Sequence, residues 1–175
     1  LQEAAAQLES SIIDCNTLLI EYARQRFNGQ TIGCTVVAMV VEDDRGACLW
    51  AGESRLYRAR DGSLRQLTRD HSYVADLVSQ GLLNAADAAS HPASNVITRA
   101  VGAKKTLEVD SVRFDIARGD TYLLCSDGLY NEIEAAEMLD IASHRDVENS
   151  SARLLDLCLS RGARDNVSLI IARAL

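Results

Sequence analysis

Short apolar runs separated by tight polar turns constrain this chain more than any other feature. Residues 56–60 and 64–67 are joined across Asp61-Gly62, a strong signal for a two-stranded antiparallel hairpin. Residues 35–41 are β-branched and apolar almost throughout, the pattern of a strand buried on both faces. Asp43-Asp44-Arg45-Gly46 then turns the chain, and residues 47–51 return. Further on, Val109, Val112, Phe114 and Ile116 alternate loosely, as in a half-buried strand. Arg118-Gly119-Asp120 turns that strand into the apolar run 122–125. Connections this short make most of the strand pairs antiparallel.

Helical periodicity dominates elsewhere. Ala4, Leu8, Ile12, Cys15, Leu19, Tyr22 and Arg26 recur every three or four residues, which predicts a helix over 2–26 ending at Asn28-Gly29. A helix over 73–80 places Val74, Leu77 and Val78 on one side and stops at Gly81. A second short helix starts at Asn84, with Asp87 favouring its dipole, and ends before His91-Pro92. Helices over 134–143 and 147–161 follow, with Gly162 as a cap, and the last strand spans 166–173. Strands and helices are segregated rather than strictly alternating, which points to an α+β fold. Neither G-x-x-x-x-G-K-[ST] nor G-x-G-x-x-G occurs.

At 175 residues and 47% hydrophobic, residues 1–175 are expected to form a single domain with a real core. Only 5% of residues are aromatic, so that core rests on Leu, Val, Ile and Ala. The net charge of −7 argues against a nucleic-acid surface, which needs clustered Lys and Arg. Cys15, Cys34, Cys48, Cys125 and Cys158 are widely spaced, which argues against a disulfide framework or a zinc site. Four of the five sit in apolar runs and are expected to be buried, inert thiols in a reducing cytoplasm. No apolar run approaches membrane-spanning length.

Two aspartates stand out against this background. Residues 122–125 run into Ser126-Asp127-Gly128, and Arg164-Asp165-Asn166 runs directly into the last strand. An Asp at the edge of a buried strand packs poorly but holds a hard cation well, because carboxylate oxygens suit Mg²⁺ and Mn²⁺. If the two strands are neighbours, both carboxylates emerge at one end of a sheet. The plainer alternative is that Asp127 caps a turn with Gly128 and Asp165 forms an Asx turn. Glu53, after Gly52, interrupts an apolar strand and suggests a bulge that re-aims its carboxylate; it could equally be solvated and paired with Arg55 or Arg58. His71 lies at a strand-to-helix junction, where a local hydrogen bond is its commoner role. His91 before Pro92 and His144 at a helix end read as structural. No G-x-S-x-G and no nucleophile triad is evident.

Six segments in order resemble the metal-dependent protein phosphatase family, phosphatase 2C-like, and its small bacterial members in particular. Gly33-Cys34-Thr35 resembles the G-[CS]-T strand opening, and Gly52-Glu53-Ser54-Arg55-Leu56-Tyr57 the G-D-S-R-x-Y hairpin. Leu67-Thr68-Arg69-Asp70-His71-Ser72 resembles L-T-x-D-H-S. His91-Pro92 through Asn95-Val96-Ile97-Thr98-Arg99-Ala100-Val101-Gly102 resembles the bacterial H-P-x-x-N-x-[IL]-T-R stretch. Ser126-Asp127-Gly128-Leu129 and Arg164-Asp165-Asn166-Val167-Ser168 resemble the two late metal-site motifs.

The resemblance implies a four-layer α-β-β-α sandwich of two mostly antiparallel sheets. It implies hydrolysis of phosphoserine and phosphothreonine in proteins, by a water bridging two Mn²⁺ or Mg²⁺ ions and without a phosphoenzyme. Asp127 and Asp165 match ligands of the first metal. Glu53 and Asn131 stand where the family holds a third, weaker ion, and both depart from its usual Asp, which puts that ion in doubt. Residues 82–100 correspond to a flap beside the active site. The family's R-x-x-N-E-D and D-G-x-G segments do not occur here. They supply the metal-bridging Asp, a Gly carbonyl ligand and the phosphate-binding Arg, so no catalytic residue is assigned, and the chain is expected to be part of a larger phosphatase. The expected partners are phosphoproteins modified by a bacterial Ser/Thr kinase, with the enzyme acting as a cytoplasmic monomer. A non-catalytic phosphatase-like binding module is the alternative.

Overall fold

The computed structural model describes residues 1–175 apart from Ala89 and Arg145. Seven strands form two antiparallel sheets. One has the order β1 (Val36–Glu42), β2 (Arg45–Ala51), β5 (Asp110–Asp115). The other has the order β4 (Ser63–Gln66), β3 (Arg55–Arg60), β6 (Thr121–Cys125), β7 (Leu169–Arg173). Helix α1 (Gln2–Arg26) covers the outer face of the first sheet. Helices α3 (Asp127–Tyr130), α4 (Ala135–Ala142) and α5 (Val147–Ser160) cover the outer face of the second. Helix α2 (Tyr73–Ser79) follows β4. This is the expected α+β, four-layer α-β-β-α sandwich.

Side-chain alternation along the central strands builds the layers. In β2, Cys48 and Trp50 enter the core between the sheets, while Leu49 and Ala51 pack toward Ile12 of α1. In β6, Tyr122 and Leu124 enter the inter-sheet core, while Leu123 and Cys125 pack with Leu129, Met138, Leu154 and Cys158 under the helices. Period-two burial on both faces is why these strands read as continuous apolar runs.

Four expectations need correction. Strand β1 is not doubly buried: Val36–Val40 are half-buried and Val41 is exposed, because β1 is the edge of its sheet and pairs only with β2. The buried side of α1 is turned from the expected one. Ala5, Leu8, Ile12, Asn16, Leu19 and Ala23 face the sheet, while Cys15 and Tyr22 face out. The reason is polar: buried Asn16 donates to the Lys104 carbonyl at 3.0 Å and accepts from Gly102 N–H at 2.7 Å, which fixes the helix rotation. Cys34 is also exposed, lying in an isolated bridge ahead of β1, so only Cys48, Cys125 and Cys158 are buried thiols. The helix expected from Asn84 is a single 3₁₀ turn, Ala85–Asp87; its expected continuation includes Ala89, outside the described residues. Among the described residues no helix is long and apolar enough to cross a membrane.

Candidate active site

The pairing of β6 with β7 brings the two late aspartates to one end of one sheet. The ladder ends with Cys125 opposite Leu169. Beyond it, Ser126 N–H donates to the Ser168 carbonyl and Ser168 N–H donates to Ser126 Oγ, both at 3.0 Å. Asp127 follows Ser126 and Asp165 precedes Asn166, so both carboxylates leave from this stitched end. Asp127 does not sit in an open turn as expected but is the first residue of α3, whose single turn carries the chain away from the sheet.

Gly128 makes the close approach feasible. A Cβ there would collide with the backbone carbonyl of Asn166, and backbone cannot swing aside as a side chain can. Gly128→Ala is therefore expected to push the 165–167 segment away from α3. A displacement near 1 Å at a reacting centre costs about 10²-fold in rate. We expect that loss in kcat/KM with an unchanged far-UV circular dichroism spectrum.

Glu53 reaches the same place from the other side. Gly52-Glu53-Ser54 is not a bulge within a strand; it is the crossover from β2 in one sheet to β3 in the other. Three neighbours hold it. Gly52 is bound through both its N–H and its carbonyl by His71, each at 3.0 Å. The Glu53 carbonyl accepts from Tyr130 Oη at 3.1 Å, and Ser54 Oγ lies 2.8 Å from Thr35 Oγ1. The Glu53 carboxyl forms no ion pair with Arg55 or Arg58. Burial, then the negative charges of Asp127, Asp70 and Asp165, push its pKa up to about 7, against the opposing pull of Arg55. Arg55 pairs with Cys125 across β3 and β6, so the chain at Glu53 leaves β3 at the same end of the sheet as Asp127. Asn131 caps the end of α3, is exposed, and its N–H donates to the Asp127 carbonyl at 3.0 Å; its side chain makes no hydrogen bond among the described residues.

Sequence reasoning missed the support under this cluster. Arg55 binds Asp70 through Nε and a terminal nitrogen, at 2.9 and 2.6 Å, and reaches Tyr57 Oη at 2.8 Å. Its guanidinium lies 3.4 Å from the Tyr130 ring centroid, a cation–π contact. Gln66 donates to Asp70 at 3.0 Å. The Asp70 carboxylate is thereby fully engaged by Arg55 and Gln66, and Tyr130, held by Arg55, donates to the Glu53 carbonyl. The only available signal was Arg55 and Asp70 each lying next to a residue already singled out. A cleft of about 520 Å³ opens beside this network, floored by Arg55, Gln66 and Asp70 and walled by Val74, Val78 and Ala85. It borders the expected flap, of which Ala89 is outside the described residues. His91 accepts from Ala93 N–H at 3.1 Å, the turn role expected of it.

The donor set suits a hard divalent cation. Its members are carboxylate oxygens, and the uncompensated negative charge around Glu53 is what such an ion would relieve. Among the described residues no three His, Cys, Asp or Glu side chains close a cage on their own.

Comparison with known proteins agrees with this chemistry. A sequence model described as protein phosphatase 2C matches residues 1–167. The chain is 33% identical over 171 residues to a serine/threonine phosphatase, stp, of Listeria welshimeri, covering 97% of this chain and 68% of that protein. Its fold superposes on PppA, a regulatory component of T6SS in Pseudomonas aeruginosa, with a TM-score of 0.92 and 36% identity, covering 100% of this chain and 72% of that one. It also superposes on the catalytic domain of the phosphatase PstP in complex with two manganese ions, with a TM-score of 0.86 and 29% identity, covering 96% of this chain and 70% of that one. With the six motifs in order and the carboxylates gathered at one sheet end, the chain belongs to the protein phosphatase 2C family.

Proposed function

We infer that this chain acts as a metal-dependent protein serine/threonine phosphatase, and that Asp127 and Asp165 are metal ligands in it. The observation that carries the reading is the register of β3, β6 and β7, which brings the residues carrying Glu53, Asp127 and Asp165 to one end of the second sheet. Bound Mn²⁺ or Mg²⁺ would supply Lewis acidity toward phosphoryl oxygens and a water of lowered pKa. Asp127 and Asp165 would hold the ion from α3 and from the lead-in to β7. Glu53 reaches toward them from the crossover and offers a further oxygen, while Asn131 presents only a neutral amide. Arg55 is spent on Asp70 and Tyr130 and serves as scaffold, not as a phosphate clamp.

The substrates proposed are phosphoserine and phosphothreonine side chains of proteins, set by a Ser/Thr kinase that this enzyme opposes. The free buried thiols Cys48, Cys125 and Cys158 fit a reducing cytoplasm. The test is phosphate release from phosphothreonine, phosphoserine and phosphotyrosine peptides with Mn²⁺, Mg²⁺ or chelator. We expect turnover of the first two with either metal and none with chelator. Metal-independent release, or equal use of the phosphotyrosine peptide, would reject the reading.

A further inference from the structure

We propose that His71 is a positioning residue: it clamps the Gly52 peptide and so aims Glu53 at the Asp127 and Asp165 end of the site. The inference rests on the phosphatase reading above, and it gives a role to a motif histidine otherwise read as structural.

Gly52 is buried and has φ +114°, in the left-handed region that favours glycine, and a Cβ there would collide with Thr35. The β-ladders stop just before it, at Val36 opposite Ala51 and Trp50 opposite Asp110. Its N–H and carbonyl therefore have no strand partner, and His71 supplies both: Nδ1 accepts the Gly52 N–H, and the His71 N–H donates to the Gly52 carbonyl. Since a backbone N–H can only donate, Nδ1 must be the acceptor, so the neutral ring carries its proton on Nε2. That Nε2–H faces Asp110 Oδ2 at 3.2 Å. Arg99, 3.1 Å from the same nitrogen, then has no acceptor there and donates to Asp110 Oδ1 instead.

His71 is itself held fast. It is 7% exposed and stacks on Trp50 with ring centroids 6.1 Å apart. Its carbonyl accepts from Thr98 N–H at 2.8 Å, and the bridge of Ser72 with Ile97 continues that contact. Burial, aided by Arg99 and opposed by Asp110 and Asp76, lowers its pKa below the ordinary imidazole value, consistent with a neutral ring. The chain of contacts runs Asp110, His71, Gly52, Glu53. It links β5 of one sheet to a carboxylate serving the end of the other. The Glu53 carbonyl and Ser54 hydroxyl have one contact each, from Tyr130 and Thr35; only His71 fixes a peptide at both polar groups.

Three variants of the protein separate the outcomes: Glu53→Gln, His71→Leu, which has no acceptor, and His71→Asn, whose Oδ1 can replace Nδ1. Mn²⁺ binding is read by calorimetry and by electron paramagnetic resonance, with phosphatase kinetics alongside. Removing an outer partner that orients a ligand costs about 10–100-fold in metal affinity. We expect Glu53→Gln and His71→Leu to weaken the same Mn²⁺ binding step by that amount, with His71→Asn close to wild type. If Glu53→Gln weakens binding and His71→Leu does not, the clamp is rejected. Equal loss in His71→Leu and His71→Asn also rejects it, since generic packing would explain that result. If Glu53→Gln binds Mn²⁺ normally while Asp127→Ala does not, the clamp falls and the phosphatase reading stands. Should His71→Leu fail to fold, the ¹⁵N shifts of the His71 ring decide: a protonated Nδ1 at neutral pH overturns the proposal.

Discussion

Asp127→Ala and Asp165→Ala are each expected to lower Mn²⁺-dependent phosphate release from a phosphothreonine peptide by about 10²–10³-fold, since each removes a first-metal ligand in the proposed site. Metal stabilisation of transition-state charge amounts to several kcal/mol, and about 1.4 kcal/mol is a factor of ten in rate. Their stake in folding is small: Asp165 Oδ1 accepts a local hydrogen bond from Asn166 N–H at 2.7 Å, and Asp127 opens α3. Asp165 is exposed, Asp127 is half-buried, and neither side chain forms an ion pair among the described residues. Each instead raises the Glu53 pKa as a like charge. The raised Glu53 pKa owes most to burial, but removing either like charge relieves repulsion, and the metal-free protein should melt no lower than wild type. Activity and metal-free stability therefore move independently, which distinguishes a ligand from a structural cap. A turn-capping Asp would behave in reverse, losing about 1 kcal/mol of stability while leaving turnover intact. Asp156→Ala, an exposed carboxylate on α5, is the control and should leave both unchanged. Turnover equal in wild type and both ligand variants would remove the basis for the metal site.

The layers were legible because their signals are local. Asp61-Gly62 joins β3 to β4 as expected, and Asp61 has φ +49° and Gly62 φ +72°, the geometry such a turn demands. The alternation of 109–116 became β5, with burial alternating along its whole length. What failed depended on distant partners. Whether residues 36–42 form an edge or a central strand is decided by what lies beside them, not by their own β-branched run. The rotation of α1 was set by Asn16, a polar residue that a hydrophobic-period argument discards, binding backbone groups at 102 and 104.

The site divides in the same way. Asp127 and Asp165 announced themselves because each breaks an apolar strand with a charge. Their convergence needed only that β6 and β7 be neighbours. Glu53 was visible as an interruption, but the bulge expected there is a crossover between sheets. That β2 and β3 belong to different sheets cannot be inferred from a hairpin-like spacing. Arg55, Asp70 and Tyr130 were invisible as a unit because residues 55, 70 and 130 meet only through the β3–β6 register and the turn of α3.

Asp120→Ala is expected to cost about 3–5 kcal/mol, because it removes several hydrogen bonds to one charged acceptor, each worth about 1.5–3 kcal/mol, and leaves the buried Tyr122 hydroxyl without its acceptor. Asp120 is 1% exposed and lies at the opposite end of β6 from the carboxylate cluster. Arg60 binds both its oxygens at 2.6 Å, Ala117 N–H donates to it at 2.9 Å, and Tyr122 Oη donates at 2.9 Å. Burial raises the Asp120 pKa, but the hydrogen bonds from Arg60, Ala117 and Tyr122 outweigh it and bring it to about 2. A carboxyl whose folded pKa lies below its unfolded value of about 3.9 stabilises the fold fully above that value. The contribution is lost as pH falls from about 4 toward about 2. Wild-type stability should therefore decline across that window, and Asp120→Ala should show a shallower acid decline from a lower starting point. For a chain of this size the neutral-pH loss corresponds to a melting temperature lower by roughly 6–20 °C. Tyr122→Phe removes one hydrogen bond to the charged oxygen while leaving the Arg60 pair in place, and should cost about 1.5–3 kcal/mol. Chemical denaturation at pH 7 and at pH 3 measures all three proteins. Identical pH profiles for wild type and Asp120→Ala would show that Asp120 is not held as a carboxylate in the fold. Because this network lies at the opposite end of β6 from the proposed metal site, folded Asp120→Ala protein at low temperature should keep its Mn²⁺ dependence.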